Sequence, residues 1–423
     1  MSENQKHKFF YGWVVVIACM LIQAFPFGVV QNVHPQFISF VTTGEGYSLT
    51  QFSLLFTLGT VASAIASPFI GNILSKPTTN IKMMFVLGSI LAGGGFLLNS
   101  YASEIWMFYI ISAINQIGLA IISSIGVPLL ISSWFTVNKG IAMGLAFSGG
   151  GLGNILLQQI AARLLNNPQI GYRGAYFIFG ALAMAVAIPV SLLFIRRPKS
   201  DDELLLNTSK DESLEEKDQK ILSVNYTFNE VKSMKEFWLF ACSFLFVGLY
   251  VSGMSVQFSG YFYSIGLEPK LVANIASTFA FVSIFGNLFG GVLFDRLGIR
   301  NSLLLAGCAV VICGISLIFT PSINVLGYLF AAGLGFSMFA YIIGPSYLTG
   351  ALFGNKEFGT ILGVVQVFFA FGFAIGSSLF GVIVDFSGGN YIPAWISVTI
   401  FSIIAYVGLL ISTSKIIKTN NVS

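Results

Sequence analysis

Asp295 and Arg296 stand side by side in this chain, and Arg300 follows one turn later, in the stretch Gly291-Val-Leu-Phe-Asp295-Arg296-Leu-Gly298-Ile-Arg300. A carboxylate and guanidinia at a helix end can form a bidentate, charge-assisted latch to a neighbouring segment. Two pairs of adjacent amides offer another chemistry, Gln31-Asn32 and Asn115-Gln116. Each amide both donates and accepts. Consecutive helical positions face different ways, so two neighbours cannot both serve one adjoining helix. His34 could exchange a proton near neutrality; the competing reading is an interfacial histidine beside Pro35. The cysteines Cys19, Cys242, Cys308 and Cys313 lie in apolar runs, without metal-ligand spacing or a disulfide framework, and read as small packing residues. Neither a metal nor a cofactor is expected.

The elements that hold these groups must be membrane helices. Of 423 residues, 55% are hydrophobic and only 9% are charged, against about 25% charged in soluble domains. A net charge of +4 from 21 basic and 17 acidic residues is too small and dispersed for a nucleic-acid partner. A crossing needs about 20 apolar residues. Uncharged runs broken at turn signals predict twelve spans, near 10–32, 51–75, 83–101, 105–134, 140–162, 174–195, 237–263, 271–293, 301–320, 325–350, 359–384 and 393–414. The charge-free stretch 301–355 is too long for one crossing, and Pro321-Ser-Ile-Asn324 divides it. The first span is too long for a signal-peptide core and no small-x-small cleavage site follows it, so it is expected to be retained.

Placing the N-terminus in the cytoplasm leaves only Arg163, Arg173 and Lys270 of the 21 Lys and Arg on the far side. That asymmetry predicts both termini inside, as the positive-inside rule requires. Lys6, Lys8, Lys76, Lys82, Lys139, Arg196, Arg197, Lys356, Lys415 and Lys418 then share the cytoplasmic face. A cell-membrane protein of prokaryotic style is the expectation.

Residues 196–236 form the one long polar segment, with acidic clusters at Asp201-Asp202-Glu203 and Asp211 to Glu216. Low hydrophobicity predicts a disordered linker, ending in a short amphipathic helix over Tyr226–Trp238 that lies on the membrane. It separates a six-helix unit, 1–195, from a second, 237–423. An internal period supports duplication: Gly140, Gly144 and Gly153 map at an offset of 219 onto Gly359, Gly363 and Gly372, and Gly71 maps at 220 onto Gly291.

The stretch from Gly291 to Arg300 is similar to the G-x-x-x-D-R-x-G-x-R loop of the major facilitator superfamily. Phe10-Tyr11-Gly12-Trp13, Trp134-Phe135-Thr-Val-Asn-Lys139-Gly140 and Tyr226-Thr-Phe-Asn-Glu230 resemble its bacterial oxalate/formate-antiporter and monocarboxylate-transporter branch. The resemblance implies an all-α membrane protein of twelve helices in two six-helix pseudo-repeats. It makes Asp295, Arg296, Arg300 and Lys139 gating residues. It also puts spans one, four, seven and ten around a central cavity, where Gln31, Asn32, Asn115, Gln116, Gln257 and Tyr341 become substrate-binding candidates. Asn287 and Gln366 join them from supporting spans. Amides can equally bond across helices in lipid.

The chain departs from the family in two places. Gly71-Asn-Ile-Leu-Ser75-Lys76, the counterpart of the signature loop, lacks the Asp and Arg, which argues against a symmetric two-latch gate. Asn287 takes the position where carboxylate carriers usually hold an Arg, and 359–384 carries no charge, which disfavours oxalate. None of the predicted spans contains Asp, Glu, Lys or Arg, against a carboxylate proton relay in the core. His34 is therefore the candidate for proton coupling.

The implied function is secondary active transport of a small organic solute, a monocarboxylate or related organic anion, by alternating access. A larger amphipathic solute such as a bile acid or drug is the alternative. A membrane-embedded enzyme is disfavoured by the scarcity of acid–base groups. Nucleotide-driven transport is disfavoured because no G-x-x-x-x-G-K-[ST] occurs. Ser148-Gly149-Gly150-Gly151-Leu152-Gly153 lacks the Lys-Ser/Thr of a phosphate cradle and reads as close helix packing. The expected partners are the solute and the lipid bilayer, with a monomeric chain.

Overall fold

The computed structural model describes residues 10–47, 49–135, 137–198 and 225–422. Lys6, Lys8 and the acidic heart of the predicted linker, 199–224, lie outside the described residues.

Apolar runs fold as helices because lipid offers backbone N–H and C=O groups no partner but each other. Helix α1 covers Gly12–Gln36, α2 Leu49–Ser75, α3 Ile81–Tyr101, α4 Ile105–Trp134, α5 Lys139–Leu165 and α6 Gly171–Phe194. After the linker come α7, Lys235–Ser264, and one hydrogen-bonded stretch, Pro269–Phe319. Its 46 candidate membrane residues, Asn274–Phe319, would measure about 69 Å if straight, twice the hydrocarbon thickness. Gly298 breaks it with φ 77° and ψ 170°, a left-handed conformation that a side chain would resist. The two parts double back: Gly335 meets Phe279 and Ser283 from one side of the break, and Gly333 meets Cys313 from the other. They are α8, 269–297, and α9, 299–319. A turn after Phe319 leads into α10, Leu326–Phe353, followed by α11, Phe358–Phe386, and α12, Ile392–Val422. The described residues thus make twelve crossings in two groups of six.

Three helices depart from regular α winding. Wide, π-helical turns occupy Gln23–Val33 in α1, Ile90–Gly94 in α3 and Ala120–Ser124 in α4. Pro26 lies inside the first and Pro128 follows the last. Proline cannot donate the next hydrogen bond, so the winding relaxes there.

The predicted amphipathic helix over Tyr226–Trp238 is not formed. A single turn, Phe228–Val231, opens on a Thr227–Glu230 capping box, and a turn at 232–234 separates it from α7. The segment docks on the protein: the Tyr226 N–H donates to the Phe353 carbonyl at 3.0 Å. The Phe228 N–H donates to Glu357 Oε2 at 2.7 Å. These partners satisfy backbone N–H groups that the first turn of a helix would have left without an internal acceptor.

The internal repeat is visible in the packing. Within the first six helices Gly153 of α5 sits against Ala24 of α1, and within the second six Gly372 of α11 sits against Leu245 of α7. Between the two groups, α5 meets α8 and α11 meets α2.

Candidate functional site

Two close glycine contacts join the halves at the end of the bundle that carries Lys76, Lys139, Arg197, Arg300 and Lys356, here called the basic end. Gly140 packs directly on Gly291, and Gly359 directly on Gly71, so closely that a Cβ on any of the four would collide with the opposing backbone. The period read from the glycines therefore has a steric cause: the Gly140–Gly291 contact recurs as Gly359–Gly71, each partner replaced by its counterpart from the other half.

Next to the first contact, Asp295 caps α5. Gly140 N–H donates to Oδ1 at 3.1 Å and Ile141 N–H to Oδ2 at 2.9 Å. First-turn N–H groups have no acceptor inside their own helix and carry its positive end, so they attract a carboxylate strongly. The expected guanidinium latch is corrected here. Arg296 and Arg300 are exposed, and among the described residues no ion pair joins them to Asp295. Next to the second contact, the Gly359 N–H at the start of α11 donates to Ser75 Oγ at 2.9 Å. Ser75 lies 220 residues before Asp295. A hydroxyl thus performs in one half what a carboxylate performs in the other, and the symmetric latch that the sequence argued against is present in weaker form. Lys139 adds a third tie: its ammonium lies 5.2 Å from the centre of the Phe358 ring in the other half.

Beyond this seal, away from the basic end, lies a cavity of about 240 Å³ between α1, α2, α4 and α11. Its polar wall is Gln31 from α1, Thr60, Ser63 and Ser67 from α2, Gln116, Ser123 and Ser124 from α4, and Gln366 from α11. Phe27, Phe369 and Phe373 supply the apolar wall. Gln116 Nε2 donates to Gln31 Oε1 at 3.1 Å, joining α4 to α1. Ser123 Oγ donates to Gln23 Oε1 at 2.9 Å, and Gln23 is buried. No lining side chain is ionisable. The wide turns of α1 and α4 carry Phe27, Gln31, Ala120, Ser123 and Ser124 into this wall.

Gln31, Gln116 and Gln366 are therefore brought together, whereas the other candidates point elsewhere. Asn32 turns to α5, its Nδ2 donating to the Gly150 carbonyl at 3.3 Å while its own carbonyl accepts from Gln158 Nε2 at 2.9 Å. Asn115 is buried against Gly95 of α3, with neither side-chain nitrogen nor oxygen hydrogen-bonded among the described residues. Each adjacent amide pair is split between the cavity and a neighbouring helix, as the helical rotation requires. Asn287 is buried where α8 crosses Gly144 of α5, outside the cavity. Gln257 is half-buried on α7, also outside the lining, and Tyr341 stands behind it, stacked on Phe369 at 6.5 Å.

His34 lies inside the protein and outside the cavity. It is buried among Phe37, Phe56, Phe96 and Tyr176, and its Nε2 lies 3.0 Å from the Tyr176 hydroxyl. It is absent from the cavity lining. The α2 hydroxyls were missed by sequence reasoning. Their signal was the spacing of Thr60, Ser63, Ala64 and Ser67, one helical face of small and hydroxyl residues.

At the far end of the bundle, Glu45 accepts from the Tyr172 hydroxyl and from Arg173 Nη2 at 2.5 Å. Arg173 Nη1 also reaches the Ser100 carbonyl at 3.2 Å. The Tyr172 hydroxyl, and then the Arg173 guanidinium, hold the Glu45 carboxyl below its usual range.

Two six-helix halves, sealed by paired glycines over a neutral polar cavity, define a multi-pass membrane carrier. The chain belongs to the Major Facilitator Superfamily, whose sequence model matches residues 16–349 and 261–420. It is similar to monocarboxylate transporter 12 of Mus musculus, 23% identical over 91% of this chain and 82% of the relative. It is also similar to monocarboxylate transporter 13 of Rattus norvegicus, 24% identical over 95% and 89%. In fold it matches a structure of the E.coli fucose:proton symporter FucP (N162A) and one of the Major Facilitator Superfamily transporter FucP. One has a TM-score of 0.65 at 14% identity, covering 96% of this chain and 99% of that one. The other, in the outward conformation, has a TM-score of 0.63 at 15% identity, covering 94% and 97%. The chain is a secondary transporter of a small organic solute.

Proposed function

We propose that the solute is a small monocarboxylate or related organic anion, held in the cavity by Gln31, Gln116 and Gln366 with hydroxyls of α2 and α4. The observation that carries this reading is the convergence of those three amides from α1, α4 and α11 on one cavity. Amide and hydroxyl donors bond a carboxylate more strongly than a neutral acceptor, and the relatives named monocarboxylate transporters support the class. The volume of about 240 Å³ is below the roughly 300–1,000 Å³ of drug-sized pockets, which argues against a bile acid.

Units 1–195 and 237–423 rock about this cavity, joined by 196–236. The excess of Lys and Arg supports a cytoplasmic basic end with both termini there, in a plasma membrane. The seal then closes the cytoplasmic side, and Asp295, Ser75 and Lys139 are the groups whose contacts break when the cavity opens inward. One chain holds a complete cavity, which supports a monomer as the working unit.

The test is uptake by purified protein in liposomes, comparing short monocarboxylates with their primary amides and with dicarboxylates. Saturable uptake of the monocarboxylates is expected. Uptake of the amides but not the acids would overturn the proposal in favour of an uncharged polar solute of the same size. The absence of any cation in the cavity wall favours that second reading.

A further inference from the structure

A second cavity of about 350 Å³ opens at the basic end between α9 and α12, lined by Arg300, Leu304, Leu410, Ile411, Ser414 and Lys415. The two helices run antiparallel here, with Gly314 against Thr399 and Gly307 against Tyr406. That register brings the start of α9 beside the end of α12. Each helix places its cation at the mouth and its aliphatic side chains about one turn deeper, toward the membrane core. Leu304 and Ile411 are 42% and 44% exposed, so the aliphatic floor opens outward rather than into the protein. Arg300 and Lys415 are exposed, and among the described residues neither side chain has a hydrogen bond or an ion pair.

The other half shows that the fold does not impose this arrangement. Arg196 lies 219 residues before Lys415, but its guanidinium is covered by the Tyr11 and Trp134 rings, 4.1 and 5.0 Å from their centres. The adjoining Arg197 donates to the Lys76 carbonyl at 3.0 Å and to that of Leu74. Asn80, uncharged, stands 220 residues before Arg300. The first half therefore turns Arg196 and Arg197 onto its own rings and carbonyls, while the second leaves Arg300 and Lys415 over an apolar groove.

We propose that the α9–α12 groove binds one anionic phospholipid from the leaflet at the basic end, its phosphate between Arg300 and Lys415 and an acyl chain along Leu304, Leu410 and Ile411. Two cations without an acid complement one phosphate. The aliphatic floor distinguishes a lipid from a free anion, which would leave that floor unused. Ser414 supplies a hydroxyl at the level of the headgroup.

The test is native mass spectrometry of the full chain in detergent, titrated with phosphatidylglycerol or phosphatidylcholine, and with inorganic phosphate as competitor. Each cation near an anionic lipid surface contributes about fivefold. The Arg300→Gln/Lys415→Gln variant should therefore lose about 25-fold in phosphatidylglycerol affinity, with phosphatidylcholine binding unchanged. The Lys232→Gln/Lys356→Gln variant removes the same charge from exposed sites at the same end and should retain the preference. Equal phosphatidylglycerol binding by both variants would overturn the site. Displacement of the lipid by millimolar phosphate would overturn the lipid assignment and leave an anion site. Since none of the four residues lines the solute cavity, failure here leaves the transport reading untouched.

Discussion

Replacing Asp295 by Asn should loosen the seal at the basic end far more than replacing Ser75 by Ala. Asp295 accepts two hydrogen bonds, at 3.1 and 2.9 Å, from the first turn of α5. Asn keeps one acceptor, puts an NH₂ donor against the other N–H, and removes the charge facing the helix end. A hydrogen bond to a charged group contributes about 1.5–3 kcal/mol, and the helix end adds roughly 0.3–1 kcal/mol. Asp295 is only half-buried, so the lower end applies, about 2 kcal/mol or roughly 30-fold in the equilibrium between sealed and open states. Ser75 accepts one bond from a neutral donor at 2.9 Å, and its loss should cost about 1 kcal/mol, roughly fivefold. The assay is labelling of a single cysteine at Ala370, a cavity-lining position, by a membrane-impermeant thiol reagent. It uses oriented vesicles and a background in which the four native cysteines are replaced. The ratio of labelling from the basic side to labelling from the other side should rise about 30-fold for Asp295→Asn and fivefold for Ser75→Ala. An unchanged ratio for Asp295→Asn, or equal effects of the two changes, would refute the latch argument.

Further outcomes test the rest of the site. Gln116→Leu should raise the half-saturation concentration about tenfold by removing one donor to a charged acceptor, whereas Asn115→Leu, one residue away, should leave it unchanged; similar effects in uptake assays would mean the two amides are misassigned. Asn287→Arg would bury an unpaired guanidinium between α5 and α8, so monodisperse protein recovered by size-exclusion chromatography should fall, with no gain in anion selectivity. His34→Phe should leave the pH profile of uptake between 5 and 8 superimposable on the original, at a stability cost of about 1 kcal/mol for the lost Tyr176 bond; a flattened profile would restore the histidine to coupling. The depressed Glu45 pKa makes its contribution present above the ordinary carboxylate range and lost only as pH falls through the lower folded value. The hydrogen-exchange protection factor over residues 37–47 should therefore stay high at pH 5 and fall below about pH 4, while Glu45→Gln should lower it at pH 5 and above and remove that pH dependence.

Hydropathy and charge alone determined the twelve crossings, because an uninterrupted apolar run of about 20 residues can satisfy its backbone in a bilayer only as a helix, and longer runs must be more than one of them. The repeat was legible too, since Gly71, Gly140, Gly291 and Gly359 must be glycine for the halves to touch. The rotation of each helix about its axis was not legible. A membrane helix is apolar toward lipid and toward its neighbours alike, so periodicity does not say which face looks inward. That is why Gln31 and Gln116 could not be told from Asn32 and Asn115, and why His34, Asn287 and the α2 hydroxyls were misplaced or overlooked. Only tertiary packing decided these positions, by bringing Gly150 and Gly95 against one amide of each pair and leaving the other over the cavity. Packing also let Ser75 take the place of a carboxylate, because what the fold asks for there is an acceptor at a helix start, and more than one side chain can supply it.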